Sequence, residues 1–175
     1  IAAYQVTVRI GWIFKTETII MPAILDAVAD AGFLRGMLPV IGRFGQSLPP
    51  LAFASRLSRM PLKKRPLVVT TLALAGCFGL LAAAWSVLAG RHPLLLAVIY
   101  LTLYAGFAVS NGLNLLVLAT LQGKLVPVAS RGRLMLLNTT VGSVLAIAAA
   151  VVLLGPWLEA GESAFDNIFL TTAVF

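Results

Sequence analysis

Long, uninterrupted apolar runs are the feature that most constrains how this chain of 175 residues can fold. A helix needs about 20 mainly apolar residues to cross the hydrocarbon core of a bilayer. The runs that meet this length cover residues 8–28, 34–54, 66–89, 94–121 and 134–158, and a further run begins at residue 165. The runs are continuous, whereas the strands of a membrane barrel alternate apolar and polar residues. The sequence therefore predicts an all-α fold, a single polytopic transmembrane helix bundle over residues 1–175 with five complete helices and the start of a sixth.

The composition agrees with this prediction and argues against several classes of protein. Hydrophobic residues make up 60% of the chain and charged residues 11%, against about 45–50% and about 25% in soluble domains. The single histidine, His92, and the single cysteine, Cys77, leave too few ligands for a zinc site and no visible nucleophile–base pair. We therefore expect no enzymatic activity, no metal and no cofactor.

The basic residues behind the net charge of +7 lie mainly between the apolar runs. The loops after the second and the fourth run carry basic residues and no acid, and most acidic residues lie on the opposite side. Basic loops favour the cytoplasmic side, so we expect a multi-pass protein of a cell inner or plasma membrane with a cytoplasmic N-terminus. We expect these loops to contact anionic lipid headgroups and not nucleic acid. Their motif residues are Arg59, Lys63, Lys64, Arg131 and Arg133.

Two ionisable residues, Glu17 and Arg43, lie near the middle of the first and second predicted helices. At a rise of 1.5 Å per residue, Glu17 lies roughly 12 Å along the helix from Arg9, and Arg43 lies roughly 12 Å from Arg35. Arg9 and Arg35 mark the two membrane surfaces. Charges at such depth usually face the interior of a bundle or a water-filled cavity. We therefore expect Glu17 and Arg43 to line a central cavity and to bind substrate or carry a coupling proton. The alternative is a structural ion pair that holds the two helices together.

Other polar residues join this set of substrate or coupling-ion candidates. Gln46 lies one turn from Arg43 on the same face, and Lys15 lies near Glu17, although its long stem also lets it reach the membrane surface. The fourth predicted helix carries an aromatic and amide stripe at Tyr100, Tyr104, Phe107, Asn111 and Asn114. Such a face turns away from lipid, and it either lines a cavity or forms hydrogen bonds between helices. From this stripe we select Tyr104, Asn111 and Asn114.

Small residues at four-residue spacing mark two further helices as packing elements. Small side chains let helix backbones approach closely in lipid. The stripes are Ala75, Gly79 and Ala83 on the third predicted helix, and Gly142, Ala146 and Ala150 on the fifth. Chance in an alanine-rich sequence is the alternative explanation.

The short basic loop after the second helix resembles the loop of the major facilitator superfamily that commonly reads Gly-x-x-x-Asp-Arg-x-Gly-Arg-Arg. The matching stretch here is SRMPLKKR at residues 58–65, in which Arg59 and Lys63 match basic positions. Ser58 stands where the family has its aspartate, and Pro61 stands where it has its second glycine. The segment LVPVASRGR at residues 125–133 is similar to the Pro-x-x-x-Arg-Gly-Arg segment of many members after the fourth helix.

The resemblance implies a secondary active transporter that moves a small solute by alternating access between two six-helix halves. Helices one and four of each half would line the cavity, and helices three and six would lie outside it. This chain would supply one half, for which the N-terminal half is favoured and the similar C-terminal half is the alternative. A second helix bundle is expected from the rest of a longer chain. The alternative is a structural or assembly membrane protein without transport activity.

Overall fold

The computed structural model describes residues 2–13, 20–28, 32–60, 64–89, 91–154 and 165–174. These residues are almost entirely helical and contain no strand, so the all-α prediction is confirmed for them. The helices are α1 (Ala2–Ile13), α2 (Ile20–Val28), α3 (Gly32–Arg59), α4 (Lys64–Leu88), α5 (Pro93–Leu125), α6 (Val128–Ala149) and α7 (Phe165–Val174). A π-helical segment, Ala150–Leu154, continues α6.

Three of the described helices are long and apolar enough to cross a membrane. They are α4, α5 and the continuous helix Val128–Leu153, which is α6 with most of its π-helical extension. α3 has a comparable length of 28 residues, but its arginines and its internal prolines make it less apolar. α1, α2 and α7 are each shorter than a membrane span. Five complete spans with a partial sixth therefore stay a prediction.

α5 is the helix around which the others are arranged. It packs against α3 and α4 along much of its length and also contacts α2. α4 packs in turn against α7, while α1 packs mainly against α6. Aromatic rings fill the contacts around α4, with Phe78 and Phe107 centroids 4.9 Å apart and Trp85 and Phe169 centroids 5.8 Å apart. The hydrophobic core lies between α2, α4, α5 and α7, and α3 adds Leu38 to it.

α3 and α5 approach each other closely at two glycines. A Cβ added to Gly45 would lie 2.6 Å from the Cβ of Ala108, and one added to Gly112 would lie 2.7 Å from the carbonyl oxygen of Gln46. Carbon contacts this short do not occur in proteins, so each position requires a residue without a Cβ. The backbones touch here because both helices carry glycine at the same level, as membrane helices commonly do.

The two predicted small-residue stripes have different outcomes. Nothing among the described residues lies within 4 Å of a Cβ added to Gly79, so a close helix contact at this position stays a prediction. Gly142 and Ala146 are buried, and a Cβ at Gly142 would lie 2.8 Å from the Cδ of Arg9 on α1. The stripe on α6 therefore does pack closely, but against a long side chain and not against another backbone.

The first helix begins earlier than its apolar run suggests. α1 starts at Ala2, before the predicted start at residue 8, so Arg9 lies well within the helix and not at its beginning. Tyr4 and Gln5 look like loop residues in the sequence, yet both form hydrogen bonds to other helices. Polar residues extend the helix here because partners on α4, α5 and α6 satisfy their side chains.

Candidate functional site

A cavity of about 710 Å³ lies between α1 and α6, within the size range of small-molecule sites. The α1 wall is formed by residues three and four positions apart, which share one helix face: Gln5, Val8, Arg9 and Trp12. The α6 wall has the same kind of spacing and consists of Met135, Asn138, Thr139, Ser143, Ala146 and Ile147. α5 contributes Leu118. Two helix faces with polar side chains therefore meet across this space.

Arg9 gives the cavity its charge. Its aliphatic stem lies across Gly142, whose missing side chain makes room for it. Asp26 has the one acidic side chain that the structure describes, and that carboxylate pairs with Arg35 at 2.5 Å between α2 and α3. No described carboxylate is therefore paired with Arg9, and the described part of the cavity is positively charged.

A hydrogen bond between Asn138 and Gln5 connects the two walls. The side-chain amide of Asn138 donates to the side-chain oxygen of Gln5. Asn138 is buried, and both residues line the cavity. An amide pair in an apolar setting is held by its mutual hydrogen bond, because each partner would be costly to leave unsatisfied. The bond therefore fixes the separation of α1 and α6 in this structure.

Asn114 connects three helices through its side-chain amide. Its oxygen accepts a hydrogen bond of 3.0 Å from the Tyr4 hydroxyl on α1. Its nitrogen lies 3.0 Å from the Thr70 hydroxyl and 3.2 Å from the Thr71 hydroxyl on α4, donating to both. Both threonine hydroxyls also lie within hydrogen-bond distance of the Leu67 carbonyl one turn earlier. Asn114 thus forms hydrogen bonds between helices, which is one of the two roles open to it from the sequence.

The rest of the α5 stripe is buried, as its composition predicts. The hydroxyl of Tyr100 donates to the carbonyl oxygen of Met21 at 3.2 Å, which joins α5 to α2. The rings of Tyr104 and Phe107 stack with centroids 6.1 Å apart. Asn111 is buried too, and its amide nitrogen has no hydrogen-bond partner among the described residues. None of these side chains lines the cavity between α1 and α6.

The predicted charged candidates are only partly described. Arg43 lies on α3 with its side chain exposed, and Gln46 is half-buried with its backbone against Gly112. Glu17 and Lys15 lie outside the described residues. The expected proximity of Glu17 and Arg43 therefore stays a prediction.

Arg131 binds the end of the preceding helix. Its Nε donates to the carbonyl oxygen of Val126 at 3.1 Å, and its Nη2 donates to that of Gly123 at 2.8 Å. The last carbonyls of a helix lack partners within the helix and carry partial negative charge, so a guanidinium there stabilises the helix end. Of the other motif residues, Arg59, Lys64 and Arg133 are exposed, and Lys63 lies outside the described residues.

Sequence reasoning missed the residues that line the cavity. In the sequence prediction Arg9 only marks the membrane surface, and Asn138 and Thr139 are not among the site candidates. A signal was present, since Gln5 and Arg9, and likewise Thr139 and Ser143, are four residues apart and so share a helix face. Their importance depends on the pairing of α1 with α6, which no local pattern reveals.

Comparison with protein-family models, with characterised proteins and with solved structures gives no match. The described residues show only the general class of protein: they are almost entirely helical, and three of their helices are long and apolar enough to cross a membrane. Together with the composition, these helices indicate a membrane protein. Within the described ranges, no group of three His, Cys, Asp or Glu residues lies close enough to hold a metal ion.

Proposed function

We propose that the chain forms one helical bundle of a secondary active transporter, which moves a small solute across a cell inner or plasma membrane by alternating access. The observation that carries this proposal is the cavity between α1 and α6, in which Arg9 and neutral polar side chains lie among apolar walls. Charged side chains among membrane helices usually face the interior of the bundle or a water-filled cavity, so they mark aqueous pathways or solute sites. The resemblance of the two basic loops to the major facilitator superfamily agrees with this function.

The cavity favours a solute with an anionic group. Arg9 supplies the positive charge, and a guanidinium can bind a carboxylate or a phosphate through two parallel hydrogen bonds. Gln5, Thr139 and Ser143 add neutral donors and acceptors on the two walls. A small organic anion with a polar body fits this set of groups best.

The two helices that form most of the cavity pack mainly against each other. α6 packs mainly against α1, whereas α5 packs mainly against α3 and α4. In alternating access a second helical bundle, which the family resemblance implies, would rock against this one around the solute. The exposed side chain of Arg43 on α3 suits a position that faces such a bundle.

A structural membrane protein without transport activity is the second candidate. The hydrogen bonds of Asn114 and Arg131 favour it, because both residues serve contacts within the bundle. Polar groups that only join helices need no aqueous access. The two candidates therefore differ in what they predict for Arg9.

Uptake into proteoliposomes tests the proposal. The protein is purified together with the second helical bundle that the proposal requires, reconstituted, and supplied with a panel of labelled carboxylates, phosphate esters, sugars and organic cations under an imposed pH gradient. We expect uptake of at least one organic anion by the unmodified protein and loss of that uptake in Arg9→Gln.

Arg133→Gln is the matched control, because Arg133 is an exposed arginine on α6 that does not line the cavity. It should keep the uptake of the unmodified protein. Absence of uptake for the whole panel would favour the structural candidate. Full uptake by Arg9→Gln would remove the solute site from the cavity between α1 and α6.

A further inference from the structure

A second cavity lies at the opposite end of α3 from the Asp26–Arg35 ion pair. It has a volume of about 540 Å³ and is bounded by the last turns of α3, the first turns of α4 and the middle of α5. We call it the basic groove. Its walls are mainly apolar, and they comprise Phe53, Leu57, Met60, Pro66, Val69, Leu113 and Val117, with Thr70 among them.

Two arginines line the same groove, Arg56 from α3 and Arg65 from α4. Both side chains are exposed, as are those of Arg59 and Lys64 beside them. The one acidic side chain that the structure describes, Asp26, pairs with Arg35 near the start of α3, roughly 30 Å away along the helix. The described charges at the groove are therefore all positive.

The two arginines lie at one end of the basic groove, and Phe53 and Val69 lie further along it. α4 is a membrane-spanning candidate that begins at Lys64, which places Arg65 in its first turn. Val69 follows one turn further into the helix, and Phe53 precedes Arg56 by about one turn on α3. The two arginines therefore lie toward the membrane surface, and the apolar wall lies toward the hydrocarbon core.

We propose that the basic groove binds an anionic glycerophospholipid. Arg56 and Arg65 bind the phosphate, and an acyl chain lies against Phe53, Val69 and Leu113. The charge of the groove complements the headgroup, and its order of polarity matches that of the lipid. Basic pockets between membrane helices bind anionic headgroups through this combination of charge and apolar wall. The site is independent of the solute cavity, because the two share no lining residue.

Charge-matched pairs of substitutions separate a groove from general attraction to an anionic surface. Arg56→Gln with Arg65→Gln removes two charges that line the groove, and Arg59→Gln with Lys64→Gln removes two neighbouring charges that do not. The probes are phosphatidylglycerol and phosphatidylcholine, titrated into the detergent-solubilised protein and followed by native mass spectrometry.

The first pair should lower the affinity for phosphatidylglycerol about tenfold or more, whereas the second should change it by less than about threefold. Phosphatidylcholine should bind weakly to all variants. An equal loss in the two pairs would show that only the overall charge matters, and this would overturn the proposal. Equal binding of the two lipids to the unmodified protein would overturn it as well.

The apolar wall has its own test. Val69→Phe places bulk in the groove, whereas Leu72→Phe adds the same ring to an exposed position of α4 that does not line it. Only Val69→Phe should weaken phosphatidylglycerol binding, and glycerol 3-phosphate should bind the groove much more weakly than the lipid does. Equal affinity for this free headgroup and for the lipid, or equal effects of the two phenylalanines, would show that no acyl chain occupies the groove.

Discussion

Replacing Gly112 by alanine tests the contact between α3 and α5. The added Cβ would lie 2.7 Å from the carbonyl oxygen and 2.8 Å from the Cα of Gln46. These are backbone atoms that no side-chain rotation can move, so the two helices must separate by about 0.7 Å to reach an ordinary contact of 3.4 Å. Overpacking of this kind costs about 1–3 kcal/mol. For a protein of this size the expected fall in Tm is roughly 2–12 °C.

The assay is thermal unfolding in detergent, followed by tryptophan fluorescence. Gly76→Ala is the matched control, because Gly76 lies inside α4 with nothing described within 4 Å of an added Cβ. That change should leave the Tm unaltered or raise it slightly, since alanine favours a helix over glycine by about 0.5–1 kcal/mol. An unchanged or increased Tm for Gly112→Ala would refute the close crossing of α3 and α5.

Further predictions concern the hydrogen bonds that join helices. Asn114→Leu removes bonds to both α1 and α4, and it should lower the stability by about 0.6–1.7 kcal/mol, seen as a lower Tm. Tyr4→Phe removes the bonds of the Tyr4 hydroxyl to Asn114 and to Thr71 but leaves the bonds between Asn114 and the α4 threonines, so it should have a smaller effect. A Tyr4→Phe effect equal to that of Asn114→Leu would contradict this network. Arg131→Gln should speed proteolysis at residues 123–128, because the last carbonyls of α5 lose their cap, whereas Arg133→Gln should leave the cleavage rate unchanged. Equal cleavage rates in these two variants would contradict the cap.

The helical fold and the buried face of α5 were predictable, because both follow from local patterns. A continuous apolar run of membrane length can satisfy its backbone groups only as a helix. Tyr100, Phe107 and Asn114 recur at helical spacing, and they are buried on the face that this spacing predicts. The sequence pattern alone therefore predicts the helices and the buried face of α5, and it does not require knowing which helices are neighbours.

Other features depend on which helices meet, and local patterns do not show this. Gly112 is critical only because Gln46 lies opposite, while Gly79 has the same helical setting and meets nothing within the described ranges. In the sequence Arg9 looks like a charge that flanks a membrane helix. In the structure its aliphatic stem packs against Gly142 of α6. The sequence therefore revealed which residues are polar within the bundle, but not which of them surround a common space.

Reactivity of engineered cysteines toward a membrane-impermeant, anionic thiosulfonate tests most directly whether the cavity between α1 and α6 is aqueous and lies within a membrane bundle. With Cys77 replaced by alanine, single cysteines are placed at Ser143, which lines the cavity, and at Val144, which is 61% exposed on another face of α6. Thiols react as thiolates, which form in water and not in hydrocarbon. In native membranes, Ser143→Cys should react at least about tenfold faster than Val144→Cys. Equal rapid reaction at the two positions would contradict the membrane bundle, and failure of Ser143→Cys to react would contradict an aqueous solute cavity.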